Sequence, residues 1–154
     1  MNLEKEKYII VEIIPTHPDP SKGKLAQISA LKLEGLQLLD RFDYRLKEVD
    51  NRDVFNMIQY DKTSFTYVDQ DKDILEKWKA FSKGFPIVIF EDTYTKDYLQ
   101  NKKFEMIYPY LNMKKSHSFF QELIHKYQLE PSDHLVDLIY EAIIMESNHK
   151  KGEE

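Results

Sequence analysis

Cysteine is absent from this chain of 154 residues, which removes disulfides, thiolate metal sites and a cysteine nucleophile together. Glycine is scarce, at four, and no glycine-rich loop of the kind that cradles phosphates is present. No run of about eighteen apolar residues exists, so a membrane span is not expected. The first residues are charged and lead straight into an apolar stretch, so no secretory signal is expected either. Positive charge is also short. A formal net charge of -5 gives no global attraction to a polyanion, and a nucleic-acid role therefore needs a local basic face. Lys102-Lys103, Lys114-Lys115 and Lys150-Lys151 are small candidates, although Lys pairs beside acids are also the ordinary form of a solvated surface. The five histidines, His17, His117, His125, His134 and His149, show no metal-ligand spacing. These absences point to a soluble, cytoplasmic protein without a membrane partner.

What is there suits a single domain over 1–154, long enough to bury a real core. Residues 8–14 are apolar except Glu12 and rich in Ile and Val, which predicts a central strand buried on both faces. Pro15, Pro18 and Pro20 end it. A second strand over about 25–33 meets a third over about 36–46 across Glu34-Gly35, where glycine supplies the positive φ of a tight turn. In the third, Leu36, Leu38, Phe42, Tyr44 and Leu46 alternate with Gln37, Arg41, Asp43 and Arg45, the pattern of an antiparallel strand with one wet face. Residues 48–70 read as a loop with a short helix near 52–59.

Asp71 is placed to cap a helix through about 83, with Ile74, Leu75, Trp78 and Phe81 on one stripe and Gly84 just past its end. A strand at 86–90, a helix from an Asp92-Thr93 cap to about 101, and a fifth strand over 104–111 follow. Two closing helices are expected at about 115–128 and 132–147. The second has Ser132 as cap and Leu135, Leu138, Ile139, Ala142 and Ile143 as its core face; residues 148–154 read as a frayed tail. Three strands, helix, strand, helix, strand and helices predict an α/β fold with a mixed five-stranded sheet flanked by helices. The ten tyrosines, with Tyr94, Tyr98, Tyr108 and Tyr110 grouped in the second half, suit core packing with surface hydroxyls, or stacking on bases.

The opening, Tyr8-Ile-Ile-Val-Glu-Ile-Ile-Pro-Thr-His17 followed by Asp19-Pro20 and Lys24-Leu-Ala-Gln-Ile-Ser-Ala-Leu-Lys-Leu33, resembles the start of the DEDD-type 3'-5' exonuclease family, the DnaQ-like group of the ribonuclease H-like superfamily. Two later segments follow in the family's order. Phe90-Glu-Asp-Thr-Tyr-Thr-Lys-Asp-Tyr-Leu99 resembles the motif of the helix after the fourth strand. His134-Leu-Val-Asp-Leu-Ile-Tyr-Glu-Ala142 resembles the His-x-Ala-x-x-Asp-Ala motif of the last helix. The resemblance covers about residues 8–147 and implies a ribonuclease H-like exonuclease fold.

It also implies which positions once held metal. Members of this family use two divalent cations, which need several converging carboxylates, and magnesium accepts no apolar substitute for oxygen. Glu12 keeps one acid of the first pair; Ile14 takes the place of the other. Thr95 stands where the second motif has Asp, and Ile139 where the third has Asp, while His134 keeps the general-base position. Three of four metal carboxylates are thus replaced. Asp92 or Asp97, by a register shift, and Asp137 and Glu141 on a neighbouring stripe of the last helix are substitute acids. The expectation is a degenerate exonuclease-like module that binds a nucleic acid or a protein partner without cutting, with no cofactor. Alternatives are an active nuclease using magnesium or manganese at a rebuilt acidic site, and a structural, self-associating subunit. Glu12, in an apolar strand, is either a remnant site acid or a structural carboxylate bonded to a loop N–H or a lysine.

Overall fold

The computed structural model describes residues 5–47, 65–88, 93–102, 113–129 and 135–152, with the side chains of 93–96, 113–118 and 135–137 outside that description. Three strands open the fold as an antiparallel meander: β1 (Lys7–Pro15), β2 (Leu25–Glu34) and β3 (Gln37–Leu46). The β2–β3 turn places Gly35 at φ 62, a left-handed conformation that glycine adopts without strain. Buried Tyr8 donates its hydroxyl to the Gly35 carbonyl at 3.0 Å. Burial pushes the Tyr8 pKa far upward, so the hydroxyl stays a neutral donor.

Two short strands complete a sheet of five among the described residues, in the order β4-β3-β2-β1-β5. β4 (Thr66–Val68) runs parallel to β3 and β5 (Ile87–Val88) parallel to β1. β1 therefore has neighbours on both sides and is buried on both faces except at Lys7 and Glu12, as its run of Ile and Val predicts.

Helices cover both faces. α1 (Asp71–Ser82) buries Ile74, Trp78 and Phe81. These join Ile9, Val11, Ile13, Ile28, Phe42 and Ile87 in one core cluster, together with Tyr98 and Leu99 of α2 (Thr93–Asn101). On the opposite face α3 (Met113–Lys126) and α4 (Leu135–Gly152) enclose Tyr8, Ile10, Leu31, Leu33 and Val88. The architecture is thus an α/β fold with a mixed sheet between two helical layers, as the element order predicts. No helix among the described residues is long and apolar enough to cross a membrane.

Several expectations are corrected. The segment 48–70, expected as loop with a helix, contributes strand β4 at its end; 52–59 lies outside the described residues, as does the strand expected at 104–111. The cap of α1 is Gln70, not Asp71: Asp73 accepts the Gln70 backbone N–H at 3.1 Å, a reciprocal arrangement that satisfies an otherwise orphaned donor. Gly84 follows at φ 84, as expected. Residues through Gly152 belong to α4, so most of the expected frayed tail is helical. Finally, β3 does not keep its alternation. Lys32 pairs with Asp40 but Leu33 pairs with Leu38, leaving Leu39 as the extra residue of a bulge. A bulge reverses the facing of everything beyond it. Leu36 and Leu38 pack on the α3/α4 side, whereas Phe42 and Leu46 lie on the α1 side.

Candidate functional site

Strand register builds the site. Residues directly opposite in an antiparallel pair share a face, so the sheet surface toward α3 and α4 is made of rows across β1, β2 and β3. Ile10, Leu31 and Arg41 form one row; Glu12, Ser29 and Asp43 the next; Ile14, Gln27 and Arg45 the last. The first row is covered by the apolar side of α4, where Arg41 also lies over the Tyr140 ring at 5.4 Å. Beyond it the sheet turns polar. That change falls toward the carboxyl end of β1, the end of a strand at which α/β sheets commonly open a ligand crevice.

The polar rows are unusually well buried. Gln27 and Ser29 are each 1% exposed. Asp43 is gripped by Arg41 through Nε at 3.0 Å and Nη2 at 3.5 Å. Arg45 directs Nε and Nη2 onto the Gln27 side-chain oxygen at 2.9 and 2.5 Å, and its guanidinium lies 4.1 Å from the centre of the Phe65 ring. The Ser29 hydroxyl is buried with no hydrogen-bond partner among the described residues, although buried polar groups are normally satisfied. Glu12 is half-buried and engaged in an interaction of its own.

The residues singled out by sequence fall as follows. Ile14 is 5% exposed and Ile139 fully buried. Ile139 belongs to the cluster with Tyr8, Ile10 and Leu31, whereas Ile14, two rows farther along β1, belongs to neither core cluster. Thr95 and Asp97 lie in α2, which packs Tyr98 and Leu99 on the α1 side, and Asp97 is exposed. Glu141 is exposed on α4 while Ile139 is buried, so the two occupy different stripes of the helix, as their spacing predicts. Asp137 lies in the first turn of α4; Asp92 and His134 lie outside the described residues. Among the described residues no three His, Asp or Glu side chains group in a manner that holds a metal ion. Two buried isoleucines at the positions assigned to metal ligands supply no oxygen, so a two-metal centre of the exonuclease kind does not fit these residues.

The loop over 16–24 is held shut against the helices. The Tyr98 hydroxyl donates to the His17 carbonyl, the Lys102 ammonium to the Gly23 carbonyl at 2.9 Å, and Asp71 accepts the Leu25 N–H at 3.5 Å. Within the loop, Asp19 accepts both the Ser21 hydroxyl at 2.7 Å and the Ser21 N–H at 2.9 Å. Those two bonds, the hydroxyl first, hold the Asp19 carboxyl below its usual range. For Tyr98, burial leads in pushing the pKa up. Gly23 is buried under this clasp, where an added Cβ would collide with the Tyr98 hydroxyl.

Sequence reasoning missed the two rows that hold Ser29 with Asp43 and Gln27 with Arg45. The signal was present: Gln27 and Ser29 alternate inside an otherwise apolar strand, and Arg41, Asp43 and Arg45 alternate in the next. The β3 residues read as a wet face because nothing local shows that this face is partly covered. Compared with known proteins, the chain matches no family model and no curated protein.

Proposed function

We propose that this chain is a catalytically degenerate, ribonuclease H-like exonuclease module that binds a nucleic acid or a protein partner and does not cleave it. The observation that carries the reading is the burial of Ile14 and Ile139 at two positions where the resemblance requires metal-bound carboxylates. A strand order with β1 antiparallel to β2 and parallel to β5 supports the same fold type. Asp97 and Glu141, both exposed, would have to turn inward to rebuild a metal site, which speaks against an active enzyme. The lack of cysteine is compatible with a cytoplasmic setting.

The test is a time course on 5'-labelled single-stranded DNA and RNA with manganese, with Glu12→Gln in parallel. Intact oligonucleotides are the expected outcome. A ladder of shortened products that disappears in Glu12→Gln would overturn the reading and restore a nuclease.

A further inference from the structure

Among the partly buried cations of the described residues, Arg45 differs from Arg41 and Lys102 in having no carboxylate there beside it. Arg41 is neutralised by Asp43, Lys102 lies near Asp71 at 3.9 Å, and Lys32 sits over the Phe81 and Phe85 rings at 4.6 and 5.0 Å. Arg45 is half-buried, yet its polar partner among the described residues is a neutral amide oxygen, and no carboxylate there pairs with it. The nearest acid on its own strand and face, Asp43, is held by Arg41. A guanidinium has five N–H donors in a fixed fork, and two of its nitrogens already converge on Gln27, so its position is fixed while, among the described residues, no acid compensates its charge. The Phe65 ring backs one face of the fork, a stacking arrangement that guanidinium favours over ammonium. One row away on the same face, the Ser29 hydroxyl is buried without a partner among the described residues.

We propose that Arg45, braced by Gln27 and Phe65, is the anchor for a phosphate group, with the Ser29 hydroxyl as a second contact. Phosphate is the oxyanion that a guanidinium fork binds bidentately and that a hydroxyl donor complements. The choice of phosphate over carboxylate rests on the exonuclease-like reading above. The phosphate is carried by a single-stranded nucleic acid or by a free nucleotide. Binding needs no metal and no acid at the old catalytic positions, so a chain that has lost cleavage keeps a means of holding its ligand.

The experiment is titration of the purified full chain, by calorimetry at constant ionic strength, with inorganic phosphate, a nucleoside monophosphate, a short single-stranded oligonucleotide and an acidic peptide. Arg45→Gln, Arg45→Lys and Ser29→Ala are titrated beside the wild type, with thermal melts to establish that each is folded. Arg45→Gln is expected to weaken phosphate-ligand binding about tenfold and Ser29→Ala about threefold, with Arg45→Lys between wild type and Arg45→Gln. Loss of the Arg45 contact also lowers the salt slope of oligonucleotide binding by about one. Should Arg45→Gln not fold, Arg45→Lys decides, because it keeps the charge and loses the fork. Binding of the monophosphate without the strand, or of the strand more tightly, identifies the source; either supports the anchor. No binding by wild type, equal binding by the folded Arg45 variants, or binding of the acidic peptide alone overturns it. The nuclease time course is a separate readout, so a failed phosphate anchor leaves the non-cleaving reading standing, and cleavage would not by itself remove the anchor.

Discussion

Single side chains set the tolerance of the molecule at two places. Gly23 has no room for a Cβ because of the clasp on the 16–24 loop rather than because of its backbone conformation: the added atom would meet the Tyr98 hydroxyl and also, at 3.0 Å each, the His17 Cβ and backbone nitrogen. Gly23→Ala is therefore expected to lower stability by about 1–3 kcal/mol, and Tyr98→Phe in the same chain to recover part of the loss, both measured by urea unfolding. At the far end of α3, the Glu146 carboxylate accepts the Tyr127 hydroxyl at 2.5 Å and the Lys126 ammonium at 2.9 Å. Burial works to raise the Glu146 pKa, but those two donors outweigh it and the net shift is downward. A carboxyl with a lowered folded pKa contributes stability above its unfolded value, about 4.3, and loses it as pH falls through the folded value. Lys126 is largely exposed, so screening limits the effect to about 1 kcal/mol at neutral pH. Glu146→Gln should reveal it as a difference in denaturation midpoint that vanishes toward pH 3.

At the scale of elements, much of the fold was legible in the sequence because periodicity and punctuation agreed. The buried strand around Ile9 to Ile14, the stripe of Ile74, Trp78 and Phe81, and the glycines at 35 and 84 each carry a local signal with one physical meaning. What was not legible depends on partners distant in sequence. The bulge at Leu39 arises from pairing with β2, and β4 is strand only because β3 lies beside it; three residues carry no periodicity of their own. The candidate site failed to show itself for the same reason, since Ser29 and Arg45 come to adjacent rows of one face only through register. The end of α3 offers a further test. Gln128 sits at φ 54, where the Leu129 N–H returns to the Ile124 carbonyl at 3.1 Å and the Gln128 N–H to the His125 carbonyl at 3.1 Å, a closure that usually employs glycine. Gln128→Gly is expected to stabilise the protein by about 0.5–1 kcal/mol, seen as a raised melting temperature.

For the whole molecule, the decisive property is the division of the sheet into a covered apolar part and a buried polar part on the same face. Alternation alone would give one dry and one wet face. Here the α4 side carries Ile10 and Leu31 in one row and Glu12 and Ser29 in the next, so polar side chains are concentrated at one end of the sheet while the other end supplies the core. The same sheet has a second consequence, in time rather than in space. β1, β2 and β3 pair with their chain neighbours, whereas β1 meets β5 through Ile9 with Ile87 and Ile10 with Val88, contacts that enclose most of the first half of the chain. Closing so long a loop is slow relative to hairpin formation. During refolding the apolar outer edge of β1 is thus bare after the meander has formed, and an unpaired apolar edge templates association. The yield of refolded protein on dilution from denaturant should fall steeply with protein concentration, and a yield independent of concentration would show that β5 docks as early as the meander. The strand that anchors the finished fold is then also the point at which its assembly is most exposed to error.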